Sequence, residues 1–304
     1  DHRDLHLSIR RQRQMCIRDS DNTHYQMRIL EKAFPHFSTR VRFIVKPHIF
    51  EIQYQIKSLV YEGVKKVADE RAALPLALRV DPQYGADILQ DSAYASYSVG
   101  APIEQAGSYP VEWLCGSELH EHLLGRPSEW FVKVLWHYHP DLPAAEKERQ
   151  LIQLKRLEEI CQLLDRRLML ELILPAHLSQ DGNAMAAAID EVYEAQITPF
   201  WWKIMALDTK MEWQKVTDAL DHHDSEAGII VLGKNAPLET FPAWFKTLRS
   251  TPHTCGFAIG RSIFWKPWDS FISGSMAPDE IPSIIEKNYV AVLEMWEAAG
   301  TVSS

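Results

Sequence analysis

Residues 131–174 read FVKVLWHYHPDLPAAEKERQLIQLKRLEEICQLLDRRLMLELIL, and this stretch decides the fold. It opens with an apolar run from Phe131 to Tyr138 and continues through a long, charged, amphipathic segment from Ala144 to Asp165. It ends in a second apolar run from Leu168 to Leu174. Near-continuous apolar strands are typical of parallel sheets, whose two faces are covered. The stretch therefore predicts a strand, a helix and a second, parallel strand.

The same alternation extends over most of the chain. Further strands are predicted at 74–80, 95–103, 199–206, 227–232 and 255–259, and further helices at 52–69, 86–94, 117–124, 183–195, 211–222 and 238–249, followed by a Trp-rich helix pair ending near residue 299. Seven strands, each followed by a helix, predict an α/β fold of the (β/α)8 TIM-barrel kind whose first strand is missing or incomplete. Residues 41–46 are apolar enough to substitute for that strand. An open doubly wound sheet ranks second, because no glycine-rich dinucleotide fingerprint follows an early strand.

The beginning of the chain does not follow this rhythm. Residues 10–20 read RRQRQMCIRDS, which resembles an in-frame translation of a transposon-type sequencing-library adapter. Segments of that origin are set aside before the fold is considered. We therefore predict a remnant of the first strand end at 1–9, an adapter artefact at 10–20, a segment of uncertain structure at 21–50 and the barrel at 51–304.

The composition excludes several classes of protein. The 304 residues are 46% hydrophobic and carry a net charge of −9, which argues against a nucleic-acid partner. No apolar run approaches the roughly twenty residues that cross a bilayer, so we expect no membrane association and a cytosolic protein. The four cysteines are scattered without a CxxC pair, which disfavours a disulfide framework or a zinc knuckle.

Two lysines lie inside predicted strands, Lys133 in the first run above and Lys203 in Phe200-Trp201-Trp202-Lys203-Ile204-Met205. An amine among apolar side chains loses hydration, which lowers its pKa and makes the free base available as a nucleophile. Glu171 lies within another apolar run, where an unpaired carboxylate is costly, so we expect a lysine partner across the barrel. A buried ion pair without catalytic duty is the alternative.

Two histidines allow a rival hypothesis. His137 and His139 share one face of a strand end, as the imidazole ligands of metal-dependent barrel hydrolases do. No third ligand pair follows at a suitable spacing, so we predict no metal site.

Several stretches together resemble a known family. They are Asp1-His2-Arg3, Ile103-Glu104-Gln105-Ala106-Gly107-Ser108, Phe131–Leu135, Leu170–Leu172, Trp201-Trp202-Lys203, residues 231–237 (VLGKNAP) and residues 256–264 (GFAIGRSIF). In this order they resemble the bacterial 5-dehydro-2-deoxyphosphogluconate aldolase of myo-inositol breakdown, and are more distantly similar to tagatose-bisphosphate aldolases. The resemblance implies a class I aldolase without metal or cofactor, which cleaves a keto-sugar-acid phosphate to dihydroxyacetone phosphate and malonate semialdehyde.

The resemblance also implies roles for individual residues. It places the Schiff-base lysine at Lys203, with Lys133 as the second cation, although the residues themselves leave the two roles exchangeable. Glu171, Glu104 and Asp1 are the candidate acids and bases. Phosphate is expected at the loops after the last two strands, where such barrels bind it. The expected substrate and phosphate ligands are Gly233, Lys234, Asn235, Gly260, Arg261, Ser262, His137 and Arg3.

The chain departs from the family in one place that bears on catalysis. The family follows its lysine with x-Glu-Pro, whereas Ile204-Met205-Ala206 follows Lys203. An altered barrel that binds a sugar phosphate in a regulatory role is therefore the alternative function, and a metal-dependent hydrolase is a lesser one. A kinase domain fused upstream and a homo-oligomer are partners that the resemblance leaves open.

Overall fold

Eight parallel strands close into a barrel in sequence order. The structure, a computed structural model, describes residues 15–18, 42–82, 85–92, 97–223, 225–233 and 236–300, and for 15–18, 42–53, 92 and 272 it describes the backbone alone. The strands are β1 (Met15–Arg18), β2 (Leu76–Arg79), β3 (Ser98–Pro102), β4 (Phe131–His137), β5 (Leu168–Ile173), β6 (Trp201–Met205), β7 (Gly228–Leu232) and β8 (Thr254–Ile259). The TIM-barrel prediction is confirmed.

Helices follow the strands and form the outer layer. They are α1 (Arg42–Glu70), α2 (Ala86–Ser92), α3 (Leu119–Leu124), α4 (Ala144–Leu163), α5 (Gly182–Glu194), α6 (Lys210–His222), α7 (Phe241–Arg249), α8 (Arg261–Ile272) and α9 (Ile281–Gly300). Short 3₁₀ turns at Leu238–Thr240 and Pro278–Glu280 precede α7 and α9. None of the helices in the described ranges is long and apolar enough to cross a bilayer.

The first strand does not lie at residues 41–46, the substitute that the sequence analysis offered. β1 has only four residues, it pairs with β2 and β8, and it lies inside the stretch that resembles an adapter. Residues 41–46 were the wrong choice for this strand, because from Arg42 onward they form the beginning of α1. A short apolar run is compatible with either state, and here it continues the helical segment that follows it. Asp1 and Arg3 lie outside the described residues.

Local capping explains where two of the outer helices begin. The carboxylate of Asp181 accepts hydrogen bonds from the backbone N–H groups of Asn183 and Ala184 at the start of α5. These N–H groups hold the pKa of Asp181 below its usual range. At the start of α6, Thr209 and Glu212 form a reciprocal capping box. Both helices therefore begin at signals that the sequence carries.

The barrel interior has an apolar floor. Side chains from six strands meet there: Ala77, Phe131, Met169, Trp201, Ile230, Cys255 and Ala258. The Phe131 and Trp201 rings meet edge to face with centroids 5.6 Å apart. Side chains of opposite parity, such as Trp136 and Trp202, belong to the core between strands and helices. On β2, β4, β5 and β6, the residues two positions beyond the floor therefore point into the barrel above it.

Gly100 makes room for this floor. A Cβ added to Gly100 would lie 2.1 Å from atoms of the Phe131 ring, which is itself buried. We expect Gly100→Ala to destabilise the protein by about 1–3 kcal/mol, because overpacking a closed core forces its neighbours to shift. Urea unfolding followed by circular dichroism measures this. Gly125→Ala is the matched control, since its added Cβ would meet nothing closer than 3.5 Å.

Candidate active site

Four charged side chains meet inside the barrel, above the apolar floor. Lys133 Nζ lies 2.6 Å from Glu104 Oε1 and 3.0 Å from Glu171 Oε2. Lys203 Nζ lies 3.3 Å from the same Oε2 of Glu171. Both lysines and Glu171 are 0% exposed, and Glu104 is 7% exposed. One carboxylate oxygen therefore bridges two buried amines.

The strand register explains why these groups meet. Leu135, Glu171, Lys203 and Ile230 are aligned across β4 to β7, so Glu171 and Lys203 are direct neighbours on adjacent strands. Lys133 lies two residues before Leu135 on the same face of β4. Side chains two apart on a strand share a face, so Lys133 reaches Glu171 from the next strand.

Glu104 reaches the cluster from the loop after β3. It forms an isolated antiparallel bridge with Trp113, and its Oε2 accepts the backbone N–H of Ile103 at 3.2 Å. The Arg126 guanidinium donates to the carbonyl oxygens of Ala101 and Pro102 at 3.4 and 3.1 Å, which supports this end of β3. Burial lowers the pKa of Arg126.

Arg79 is a fifth buried charge, which the sequence analysis missed. It is 0% exposed at the end of β2, two residues beyond Ala77 of the floor. The signal was present, since Leu76-Ala77-Leu78-Arg79-Val80 places a charge in an apolar run as the two lysine segments do.

Both lysines and Arg79 belong to one layer of the barrel. The strand register relates inward-facing residues on alternate strands. The residue aligned with Lys203 two strands away is Leu135, and Lys133 lies two positions before it on the same face. Repeating this step leads from Lys133 to Arg79 and then to Ala258. The next step returns to Lys203, so these four side chains, one from each even-numbered strand, form a layer of the kind that fills TIM barrels. Three of its four positions are cationic and the fourth is small.

The loops after β7 and β8 form the second part of the candidate site. Gly260 precedes α8, which begins at Arg261, so the N-terminus of this helix lies directly at the end of β8. The Ser262 hydroxyl is buried and has no hydrogen-bond partner among the described residues. Gly233, directly after β7, donates its N–H to Ala258 O in β8 at 2.9 Å, which holds the start of the first loop against β8. Lys234 and Asn235 lie outside the described residues.

His137 and His139 have different surroundings. The His137 ring contacts the Tyr109 ring edge-on with centroids 6.3 Å apart. Partial desolvation and a hydrogen bond to Glu146 raise the pKa of Tyr109 to about 12. His139 is buried in its own loop, where Nδ1 accepts the N–H of Asp141 and Nε2 lies 3.0 Å from the carbonyl oxygen of Ser179.

This arrangement bears on the metal hypothesis. Both ring nitrogens of His139 contact protein groups, so this side chain stabilises the loop after β4. Across the residues whose placement is described, no group of three or more His, Cys, Asp or Glu side chains is arranged to hold a metal ion.

The fold and the interior charges define a TIM-barrel chain with a buried lysine–glutamate centre and a glycine-flanked helix N-terminus at the end of its last strand. Residues 41–300 match the family described as "Uncharacterized protein conserved in bacteria (DUF2090)", and the chain belongs to that family. No curated protein sequence matches it.

Solved structures resemble the chain in fold. A fructose-bisphosphate aldolase from Plasmodium falciparum, solved with TRAP and a small-molecule inhibitor, is 13% identical with a TM-score of 0.55, covering 94% of this chain and 88% of its own. A fructose-bisphosphate aldolase from Slackia heliotrinireducens is 12% identical with a TM-score of 0.52, and the match covers 81% of this chain and 78% of that one. Cgl0159 from Corynebacterium glutamicum is 16% identical with a TM-score of 0.50, and the match covers 76% of this chain and 77% of that one. At these identities the likeness establishes the fold alone.

Proposed function

We propose that the chain is a Schiff-base aldolase that cleaves 6-phospho-5-dehydro-2-deoxy-D-gluconate to dihydroxyacetone phosphate and malonate semialdehyde. The observation that carries the proposal is the bridging of Lys133 and Lys203 by one oxygen of Glu171, at 3.0 and 3.3 Å, in a fully buried layer. A nucleophilic amine next to a second cation and a proton carrier is the set of groups that imine chemistry needs.

The contacts favour Lys203 as the nucleophile. Lys133 Nζ lies between two carboxylates, 2.6 Å from Glu104 and 3.0 Å from Glu171. The contact of Lys203 with Glu171 is longer, and Glu171 is shared with Lys133. An amine must give up its proton before it can attack a ketone, and a neighbouring ammonium favours the neutral form.

The reaction then follows from these groups. The Lys203 amine adds to the substrate ketone, Glu171 supplies the proton with which the carbinolamine loses water, and an iminium forms. The bond between the carbon next to the iminium and the carbinol carbon breaks, its electrons form an enamine, and a carboxylate accepts the hydroxyl proton. The aldehyde leaves, the enamine carbon takes up a proton, and water hydrolyses the iminium to release the ketone product.

The end of β8 suits the phosphate. Backbone N–H groups at a helix N-terminus bind anions, and α8 presents such a terminus beside Gly260. The buried Ser262 hydroxyl is available as a further donor, and Arg261 supplies a positive charge.

Borohydride trapping tests the proposal. Wild-type protein is incubated with dihydroxyacetone phosphate and reduced with sodium borohydride, and the modified peptide is located by mass spectrometry. We expect one equivalent of reduced adduct on Lys203, with none when the ketone is omitted. An adduct on Lys133 would exchange the roles of the two lysines. Binding of the phosphate without any adduct would refute the aldolase and favour the regulatory barrel.

A further inference from the structure

A cavity with charged walls lies near the amino ends of β5, β6 and β7. Its volume is about 520 Å³, within the range of about 300–1,000 Å³ that is typical of small-molecule sites. The lining comes from the ends of α4, α5 and α6 and from the segments that lead into these three strands. The carboxyl ends of the strands, where such barrels carry out their chemistry, lie at the opposite end. A ligand of this cavity is therefore a molecule other than the proposed substrate.

The apolar floor of the barrel separates this cavity from the lysine–glutamate centre. Arg167, which lines the cavity, directly precedes β5, and Met169 of the floor lies between it and Glu171 along the strand. The Arg167 guanidinium lies over the Phe200 and Trp201 rings, with its carbon 5.2 and 6.0 Å from their centroids. Trp201 is itself part of the floor. The two sites therefore lie on opposite sides of one apolar layer.

Arg167 is a cation without a polar partner in the described part of the chain. Its guanidinium forms no hydrogen bond and no ion pair with any residue there. Burial lowers the pKa of Arg167 and the charge of Asp165 raises it, and a guanidinium remains protonated in either case. The neighbouring Arg166 differs, because it donates to the carbonyl oxygens of Leu123 and Arg126 at 3.0 and 2.7 Å. The planar fork of Arg167 is therefore available to a carboxylate.

Glu158 is the opposite case, a buried anion without a cation. It is 3% exposed on α4 and lines the same cavity. Its Oε1 accepts hydrogen bonds from Gln162 Nε2 at 3.0 Å and from the Thr198 hydroxyl at 2.9 Å. Among the residues that the structure describes, no basic group forms an ion pair with this carboxylate. A buried carboxylate without a counter-ion is unfavourable, so an ammonium from a ligand would stabilise it.

Other polar side chains of the cavity have protein partners. The Tyr193 hydroxyl shares a hydrogen bond with the Ser225 hydroxyl and accepts the indole N–H of Trp202 at 3.1 Å. The His223 ring stacks on Tyr193 with centroids 4.9 Å apart, and its Nε2 lies 3.0 Å from Asp190 Oδ1. These contacts hold the wall of the cavity in place. The arginine and the buried glutamate therefore determine which ligand the cavity suits.

We propose that this cavity binds a free amino acid as a zwitterion, with its carboxylate on Arg167 and its ammonium on Glu158. Thr198, which donates to Glu158, and Phe200, whose ring Arg167 lies over, are two residues apart in the segment before β6. Two residues of extended chain span roughly 7 Å, so one small molecule with two opposite charges can contact both groups. The inference goes beyond the proposed function and does not depend on it.

Binding is tested with each of the twenty standard L-amino acids. Each is added at about 5 mM, and melting is followed by circular dichroism, because a ligand of the folded state alone raises the melting temperature by mass action. We expect at least one amino acid to raise it by about 2 °C or more. The dissociation constant is then measured by isothermal titration calorimetry. If none of the twenty raises the melting temperature or gives binding heat, the inference is overturned.

Two analogues of the tightest-binding amino acid test the two charges on the wild type alone. Its 2-hydroxy acid carries a hydroxyl in place of the ammonium, and its amide carries a neutral group in place of the carboxylate. We expect each to bind about 10-fold more weakly or worse, because charge-assisted contacts are stronger than neutral ones. An analogue that binds as tightly as the amino acid would contradict the zwitterion. This comparison does not depend on how any variant folds.

Variants locate the ligand in the cavity. We expect Arg167→Gln and Glu158→Gln each to raise the dissociation constant about 10-fold or more, and Arg167→Lys, which keeps the charge but not the fork, to raise it less than Arg167→Gln. Arg149→Gln and Glu159→Gln change exposed residues of α4 and are the matched controls, for which less than about 3-fold is expected.

The melting temperature without ligand completes the test. Glu158→Gln keeps an acceptor for Thr198 and Gln162 and removes an unpaired buried charge, so the ligand-free variant should melt no lower than the wild type. Weaker binding together with undiminished stability is the result expected of a ligand site. Wild-type affinity in Arg167→Gln or in Glu158→Gln would place the amino acid elsewhere and overturn the inference.

Discussion

Replacing Lys203 by arginine is expected to lower kcat for the cleavage by about 10⁴-fold or more, because a guanidinium stays protonated and cannot form the imine. Losses of this size follow when a covalent nucleophile is removed from an enzyme. The positive charge beside Glu171 is retained. The loss in kcat therefore reflects the missing nucleophile rather than a broken buried ion pair. Cleavage is followed by coupling the released dihydroxyacetone phosphate to a reductase assay.

Lys133→Arg is the matched control for this experiment. Lys133 is equally buried and contacts the same oxygen of Glu171, so both variants place a larger cation in the same layer. We expect Lys133→Arg to keep the borohydride adduct on Lys203 and to lose less activity than Lys203→Arg. Equal loss of adduct in both variants would indicate disruption of the whole layer, and loss in Lys133→Arg alone would identify Lys133 as the nucleophile.

The barrel could be predicted from the sequence because its strands are covered on both sides. Runs such as Phe131–His137 and Leu168–Ile173 are apolar except for one inward-facing charge each and His137, and the helix between them is long enough to predict from its periodicity. β1 was not predicted because it lies within residues 10–20, which resemble an adapter and were set aside before the fold was considered. Its partners identify it, and pairing with β2 and β8 is a property of the closed barrel.

The members of the buried cluster could be predicted, but their contacts could not. A charge inside an apolar strand is unusual at any position, and that alone singled out Lys133, Lys203 and Glu171. One oxygen of Glu171 bridges both lysines because neighbouring strands are staggered. The sequence pattern of a single strand does not reveal that stagger. Arg79 carried the same signal, in an apolar run that ends at Asp81-Pro82, and the sequence analysis did not use it.

Removing the Glu171 carboxylate is expected to destabilise the folded protein by about 3–5 kcal/mol, the cost of leaving a buried charge without its partner. Glu171→Leu removes the negative charge beside Lys133 and Lys203, and all three side chains are buried in the barrel interior. The loss is measured as the difference in free energy of unfolding in urea. The exposed pair of Lys66 and Glu286, at 2.8 Å, provides the control, and Glu286→Gln should cost less than about 1 kcal/mol because solvent screens surface pairs.

A double variant separates the cost of an orphaned charge from the loss of a favourable contact. Lys133→Met in the Glu171→Leu background removes one of the two ammonium groups that lost their partner, and it fills the space with an apolar chain of similar length. We expect it to recover at least about 1 kcal/mol of the loss, since an apolar replacement of a buried ion pair is often neutral or stabilising. If the second substitution adds to the loss instead, the penalty comes from packing in the barrel layer. The lysines would then be tolerated there without Glu171, and the charge balance of the interior would not be what holds the site together.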